Sequence, residues 1–273
     1  MILSIFTATY NRAYCLTRLF ESLKKQEAMN FEWIIVDDNS TDNTDEIVDN
    51  YINSNPPFPI TYMKNVLDGG KHRAINMAIP YAAGQLFMVV DSDDFLTEDA
   101  TLLIEEEWKK NTKDVLGLCF RRINPQTGQI IGNSFKGKYA SPITINYVWN
   151  LTCDKAEILR TDIISNNLFP EYPGERFCTE GLWIIKMSKN EPSEMICCDQ
   201  GIRYTEYLDD GLTKNIKSIK KKNPCGYLMY YKMLLLIPQF YLHPKQVLYA
   251  LIQLLLLPIF IMKQNKERKS KNI

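Results

Sequence analysis

The sequence predicts an α/β fold: a mainly parallel sheet flanked by helices, with a helical extension at the C-terminal end. Three observations carry this. Apolar runs alternate with segments of helical periodicity four times over the first 90 residues, the signature of βαβ units joined by right-handed crossovers. Polar clusters follow the apolar runs at Thr7–Arg12, Asp37–Thr41 and Asp91–Asp94, on the carboxyl side where such sheets bind ligands. From Thr213 onward the chain changes character and becomes basic and apolar.

Ile2–Thr7 reads as the first strand, ended by the polar turn Thr9-Tyr10-Asn11-Arg12. Leu16, Leu19, Phe20 and Leu23 then recur at the spacing of a helix with one apolar face. Trp33–Val36 is a second buried strand, and Ile47, Val48, Tyr51 and Ile52 mark the helix after it. The proline-rich Asn55–Pro59 closes that helix, because proline lacks an N–H to continue it. Ile60–Met63 is a third strand, and Gly69-Gly70 turns the chain into a helix through Ala74, Ile75, Ala78 and Ile79. Leu86–Val90 is the central strand, with Asp91-Ser92-Asp93-Asp94 at its end. Thr97-Glu98-Asp99 opens a helix near Leu102–Lys110.

The second half is less regular. A strand is expected at Val115–Arg121, and a turn at Gln126-Thr127-Gly128 leads into a hairpin arm, Gln129–Ile131. Thr152–Ile158 carries the local sequence Cys153-Asp154-Lys155-Ala156-Glu157. An aromatic loop, Phe169–Cys178, precedes a helix bearing Leu182, Ile185 and Lys186, and the last strands are Met195–Cys198 and Ile202–Tyr207.

At 273 residues, with 45% hydrophobic and 23% charged residues, the chain can bury one large core, or one domain and an appendage. Its seven cysteines are odd in number and show no CxxC spacing, which points to reduced thiols and a cytoplasmic setting, away from zinc or a disulfide framework. No basic leader precedes Ile2–Phe6, so no secretory signal is expected. The net charge is zero, from 32 basic and 32 acidic residues. Twelve of the basic residues but only one acid, Glu267, lie in 213–273, which leaves 20 against 31, a net of −11, before it. An acidic body with a basic tail suggests an anionic surface as the partner of the tail, and no nucleic acid is expected.

The acidic cluster at Asp91–Asp94 suits a hard cation such as Mg²⁺ or Mn²⁺; the same residues also suit a helix cap with first-turn acids. Taken together, Phe6-Thr7-Ala8-Thr9-Tyr10-Asn11-Arg12, Ile35-Val36-Asp37-Asp38-Asn39-Ser40-Thr41-Asp42, Gly69-Gly70-Lys71-His72-Arg73-Ala74-Ile75-Asn76 and Val90-Asp91-Ser92-Asp93-Asp94 resemble the family 2 glycosyltransferases. Asp154-Lys155-Ala156-Glu157 and Thr179-Glu180-Gly181-Leu182-Trp183 extend the likeness to about residue 212. The resemblance implies a GT-A type, Rossmann-like mixed sheet. It also implies inverting transfer of a sugar from a nucleotide donor, commonly UDP-linked, to an acceptor hydroxyl in surface polysaccharide or glycolipid synthesis. It divides the chain into a catalytic domain, 1–212, with a nucleotide half (about 1–112) and an acceptor half (about 113–212), and a tail, 213–273.

By the same resemblance, Asp91 and Asp93 form the DxD pair, with Asp93 on the metal and Asp91 on the metal, the ribose or a metal-bound water, while Asp94 serves the turn. Asp38 matches the position that reads uracil, though a turn residue capping the next helix is the alternative. Thr7 and Tyr10 fit the edge of the base pocket, and Arg12 belongs to the same nucleotide-binding set; Tyr10 fits packing equally well. Lys71, Arg73 and Asn76 follow a Gly-Gly turn at a helix start, a placement suited to phosphates; Lys71 also reads as a solvated surface residue. Many family members carry Glu-Asp where this chain has Thr179-Glu180-Gly181, so Glu180 is the candidate base, with Glu175 as the fallback and a helix-dipole acid as the bland reading. Trp183 fits a sugar platform or the core. The QxxRW signature of processive synthases is absent, which favours addition of a single hexosyl or N-acetylhexosaminyl unit. An inactive nucleotide-sugar-binding or scaffolding protein of the same fold is the alternative, and a metal-dependent phosphotransferase leaves Asp38 unexplained.

The tail is apolar and aromatic over Tyr227–Tyr241, and Val247–Met262 is apolar apart from Gln253, with Pro258 inside it and lysines on both flanks. Sixteen residues with a proline fall short of a membrane span of about 20. The expectation is a helix lying in the cytosolic face of a membrane or forming a re-entrant hairpin, or else a helical pair docked on the catalytic domain or forming a homodimer.

Overall fold

The computed structural model describes residues 1–65, 69–190, 192–206 and 216–271. The expected end of the last strand at Tyr207 and the expected boundary at 212/213 lie outside these residues. The first four strands are β1 (Leu3–Thr9), β2 (Phe31–Asp37), β3 (Ile60–Lys64) and β4 (Leu86–Val89), and they pair in parallel in the order β3-β2-β1-β4. The helices between them are α1 (Ala13–Lys24), α2 (Thr44–Asn53) and α3 (Lys71–Ala78), and α4 (Ala100–Lys110) follows. The sheet continues through β8 (Ala156–Arg160), antiparallel to β4, then β6 (Gly117–Ile123) and β9 (Met195–Tyr204), with the short β5 (Phe95–Leu96) and β7 (Tyr139–Ala140) both against β9. Two short helices, α5 (Thr161–Ser165) and α6 (Glu180–Met187), lie between β8 and β9 in the chain.

The alternation of side chains along each strand builds three layers. Ile5, Trp33 and Ile35 face a core shared with Leu16, Leu19, Phe20 and Val48 of α1 and α2 and Ile104 of α4. Phe6, Ile34, Val36 and Phe87 face the opposite core, with Ala74, Ile75 and Ala78 of α3 and Leu182 and Trp183 of α6. Burying both faces is what makes these strands read as continuous apolar runs.

The second half adds one feature that the sequence left unread and departs from expectation in two places. Within Thr152–Ile158 the strand begins only at Ala156, because Lys155 Nζ folds back to Asn146 Oδ1, Leu151 O and Cys153 O at 2.8–2.9 Å and keeps 151–155 as a closed loop. The two late strands are one, β9, whose pairing with β6 shifts register between Cys119 and Arg122 and so absorbs the polar Asp199-Gln200-Gly201. The turn at Gln126–Gly128 forms, with Gly128 at φ 67°, but its returning arm contributes only the bridge Ile123–Ile130.

The tail forms α7 (Ile216–Lys222), α8 (Pro224–Leu234) and α9 (Pro244–Lys271). The proline does not divide α9: the helix runs 28 residues through Pro258, and Pro244–Lys266 is long and apolar enough to cross a membrane by length and composition. The apolar count in the sequence undershot because Pro244, at the helix start where proline is favoured, and the polar turns beyond Met262 extend it. Ala250, Gln253 and Leu257 are the stripe buried against α8, whereas Leu248, Leu251, Leu255 and Ile259 are exposed. α8 is itself docked on the body, where Tyr227, Tyr231 and Leu234 share a core with Ile185 of α6 and Tyr147.

Candidate functional site

The turns leaving β1, β2 and β4 lie side by side at the carboxyl edge of the sheet. The strand order reverses between β1 and β4, and this opens the crevice in which α/β sheets bind ligands. Asn11 (φ 50°) and Asn39 (φ 66°) take the left-handed conformation that lets the first two turns fold back sharply. The turns are stitched together: Asn11 N–H donates to Ser40 Oγ at 2.8 Å, and Thr41 N–H donates to Asn11 Oδ1 at 2.7 Å. Asp37 is fully buried and accepts from Ser40 N at 2.9 Å and Tyr62 OH at 3.0 Å, which makes it the brace of the β2 turn.

Asp38 is different. It accepts from Asn65 Nδ2 at 3.1 Å, Gly70 N at 2.8 Å and Arg176 Nη2 at 3.4 Å, with its side chain still 12% exposed. A Cβ at Gly69 would sit 2.0 Å from Asp38 Oδ1, so only glycine permits this approach. Tyr10 stands exposed at the rim of the same crevice. Thr7 corrects the sequence expectation: it is fully buried, and its hydroxyl accepts the Trp33 indole N–H at 3.0 Å, so it supports the sheet and does not line a pocket.

The acidic turn after β4 is held by cations on three sides. Lys71 Nζ lies 2.5 Å from Asp91 Oδ1 and 2.6 Å from Glu180 Oε1. Arg203, buried on β9, reaches Asp91 Oδ2 at 2.8 Å and Val89 O at 2.6 Å, and donates through Nε to Asp94 Oδ2 at 2.6 Å. Arg12 Nη1 donates to Asp93 Oδ2 at 2.9 Å, and Arg18 Nη2 to Asp93 O at 2.6 Å. Asp94 is buried, and its N–H closes the turn on Asp91 O at 3.0 Å. This closing bond and the Arg203 contacts make the turn a rigid platform.

Burial would push Asp91 up, but the Lys71 and Arg203 cations outweigh it and hold its carboxyl well below the usual range. Burial likewise opposes the charge on Lys71, and Asp91 and Glu180 overcome it and keep the ammonium protonated far above neutral pH.

Lys71 thus joins two of the predicted site residues, Asp91 and Glu180, in one contact chain. Arg73 and Asn76 are committed elsewhere. Arg73 Nη2 donates to Tyr172 O at 3.1 Å, and Asn76 Nδ2 donates to Phe169 O at 3.0 Å and to Glu171 Oε1 at 2.8 Å, so both hold the loop that precedes α6. Glu175, the fallback base, is buried and accepts from the N–H groups of Cys225 at 2.6 Å and Gly226 at 3.0 Å, which makes it the N-terminal cap of α8. Trp183 is a core residue, stacked on Phe169 with ring centroids 4.4 Å apart. At Gly181, a Cβ would lie 2.9 Å from Tyr230 Cε2, so α8 packs directly on the first turn of α6 beside Glu180.

Arg203, Arg176 and Asn65 were not read as site residues in the sequence. Arg203 alone left a local signal, as a charged residue inside the apolar pattern of a late strand. Glu157 of β8 is a further half-buried carboxylate, pushed up by burial against the opposing pull of Lys155.

The family model described as Glycosyl transferase family 2 matches residues 4–190. The poly(ribitol-phosphate) beta-N-acetylglucosaminyltransferase TarS of Staphylococcus aureus (strain MW2) is 31% identical over 180 residues, which is 63% of this chain and 30% of that protein. A chondroitin synthase of Pasteurella multocida (strain Pm70) is 33% identical over 135 residues, 49% of this chain and 14% of that protein. The chain therefore spans less than a third of the length of either relative. Among solved structures, S. aureus TarS 1–349 in complex with UDP superposes with a TM-score of 0.66 at 22% identity, covering 86% of this chain and 66% of that one. A mannosyltransferase from Pyrobaculum calidifontis, in complex with GDP-Man and Mn²⁺, gives a TM-score of 0.64 at 13% identity over 97% of this chain and 75% of that one. At these identities the likeness is one of fold.

Proposed function

The chain belongs to glycosyl transferase family 2, and from that premise we propose that it is an inverting, single-addition enzyme using a UDP-sugar donor. Its acceptor is a hydroxyl of a surface glycan or of a lipid-linked precursor. The observation that carries this reading is the contact chain Asp91–Lys71–Glu180, set at the carboxyl edge of the sheet next to the Asp38 turn. We assign 1–112 to the nucleotide half, 113–212 to the acceptor half and 213–273 to the tail.

Asp38 accepts the N–H of the uracil ring in exchange for its longest partner, Arg176, while Tyr10 closes on the face of the base. Arg12 and Lys71, on opposite sides of the acidic turn, supply positive charge toward the diphosphate. Arg73 and Asn76 act one step away, by fixing the loop that leads to Glu180. Glu180 accepts the proton of the acceptor hydroxyl as its oxygen bonds to the anomeric carbon and the bond to the diphosphate breaks.

Asp91 and Asp93 offer two hard carboxylates at a strand end, each with part of its side chain exposed. Among the described residues no third His, Cys, Asp or Glu joins them. That set fits Mg²⁺ or Mn²⁺, which are held by one or two carboxylates together with the phosphates of a substrate. We assign the ion to Asp93, with Asp91 beside it; when bound, it neutralises charge that builds on the leaving diphosphate.

The tail supports a second assignment, to the cytosolic membrane surface. One stripe of α9 is docked on α8, and its other side exposes Leu248, Leu251, Leu255 and Ile259 between Lys245 and Lys263, the composition of a helix that lies in an interface.

A panel of UDP-sugars assayed for UDP release with Mn²⁺ tests the enzymatic reading. Turnover of one sugar, lost on chelation, is the expected result. A chain that binds UDP and turns over no sugar, with or without candidate acceptors, contradicts it and favours a scaffolding protein of the same fold.

A further inference from the structure

Lys71 is placed to do more than attract phosphate. Its ammonium is shared between Asp91 Oδ1 at 2.5 Å and Glu180 Oε1 at 2.6 Å, and all three side chains are partly open to solvent, at 23%, 35% and 44% exposure. The backbone beneath it is fixed. Gly70 N–H is bound to Asp38 at 2.8 Å, and a Cβ on Gly70 (φ 123°) would lie 2.1 Å from Arg176 O. Any rearrangement at Lys71 therefore falls on the flexible side chain.

The two anions would fare differently if the ammonium moved. Asp91 would keep Arg203 on its other oxygen at 2.8 Å. Glu180 is joined to the site through Lys71, and its carboxylate would be left without that counter-charge.

We propose that Lys71 is a donor-sensing positioning residue that restrains Glu180 until the donor is bound. This deepens the glycosyltransferase reading and rests on it. Before donor binding, the ammonium ties Glu180 Oε1 to the acidic turn and holds the carboxylate turned toward Asp91. The diphosphate competes for the same ammonium as it arrives beside Asp91 and the start of α3. Its capture of Lys71 releases Glu180 to the acceptor hydroxyl, so the base becomes competent only when a donor is in place. One further consequence follows: Glu180 and the diphosphate are rivals for one cation, so the base opposes donor binding.

The test is calorimetric titration of the full chain with UDP in the presence of Mn²⁺, for wild type, Glu180→Gln, Lys71→Met and the double variant. Neutralising Glu180 removes the rival anion, so Glu180→Gln is expected to bind UDP about three- to tenfold more tightly than wild type, the scale of one partly exposed ion pair. In the Lys71→Met background the same substitution is expected to change Kd less than about twofold. A generic repulsion between Glu180 and UDP predicts equal tightening in both backgrounds, and that result overturns the proposal. So does an unchanged Kd for Glu180→Gln alone, a result that stands even if Lys71→Met fails to fold. A wild type that binds no UDP and releases none from UDP-sugars overturns the donor reading, and the restraint with it.

Discussion

Arg203 is 3% exposed and Asp94 2%, so neither charge in this pair is solvated by bulk water, and Arg203 is the nearest cation to Asp94, with Arg122 Nη1 farther off at 3.9 Å. Breaking a buried pair from one side costs about 3–5 kcal/mol, and the low end applies here because Arg122 and the Glu206 N–H still face Asp94. Arg203→Met is therefore expected to lower the unfolding free energy by about 3 kcal/mol in urea titrations, and a change under about 1 kcal/mol would show that the acidic turn holds itself. His72 gives a second, pH-dependent prediction. It is buried, its Nδ1 has no hydrogen-bond partner among the described residues, and burial, followed by the neighbouring Arg73, pushes it down from 6.5 to about 4. The unfolded chain takes up this proton near pH 6.5 and the folded chain only near 4, so stability falls as pH drops through that window, by up to about 1.4 kcal/mol per pH unit. His72→Gln should reduce the difference in urea midpoint between about pH 7 and pH 5; an undiminished difference would place its origin elsewhere. At this scale the sequence displayed Asp38, Asp91, Asp93 and Glu180 because each sits in a short polar run at an element end. It marked Arg203 only as a charge inside a late strand and concealed its partners, which are more than a hundred positions away, and it could not show that Thr7 turns inward to Trp33.

Elements were legible where one periodicity ran without competition. The apolar runs of β1, β2 and β4 and the i, i+3, i+4, i+7 pattern of α1 lie where the sequence puts them. Legibility failed where long-range contacts override local pattern, as at β8, whose start is set by the inward fold of Lys155, and at β9, whose polar middle is absorbed by a register shift against β6. α9 is the clearest case, because it continues through Pro258 while Ala250 and Leu257 pack on α8. Its uncovered face yields a prediction. Leu251→Glu with Leu255→Glu places charge on exposed positions only, so the fold should survive while co-sedimentation with anionic phospholipid vesicles is lost. Undiminished co-sedimentation would exclude this face as the membrane contact.

Over the whole molecule, the strand order β3-β2-β1-β4 sets the turns of Asn11 and Asp38 beside the acidic turn, and β8, β6 and β9 extend the same sheet to carry Arg203 back to it. The tail closes the arrangement from the far side: Glu175 caps α8, and Tyr230 of α8 packs on Gly181 next to Glu180. The parallel half and its ligand edge could be read from the order of the polar clusters. The contact of the tail with α6 could not, since it joins segments that share no local pattern. On the proposed reading, one site joins Asp93, which supports the leaving diphosphate, to Glu180, which takes the acceptor proton. This is tested most directly by UDP release from the preferred UDP-sugar and acceptor, compared for wild type, Asp93→Ala and Glu180→Gln, with UDP binding measured in parallel. The account predicts that both variants fall by about 100-fold or more in turnover while Glu180→Gln still binds UDP. Turnover near the wild-type rate in Glu180→Gln would contradict it.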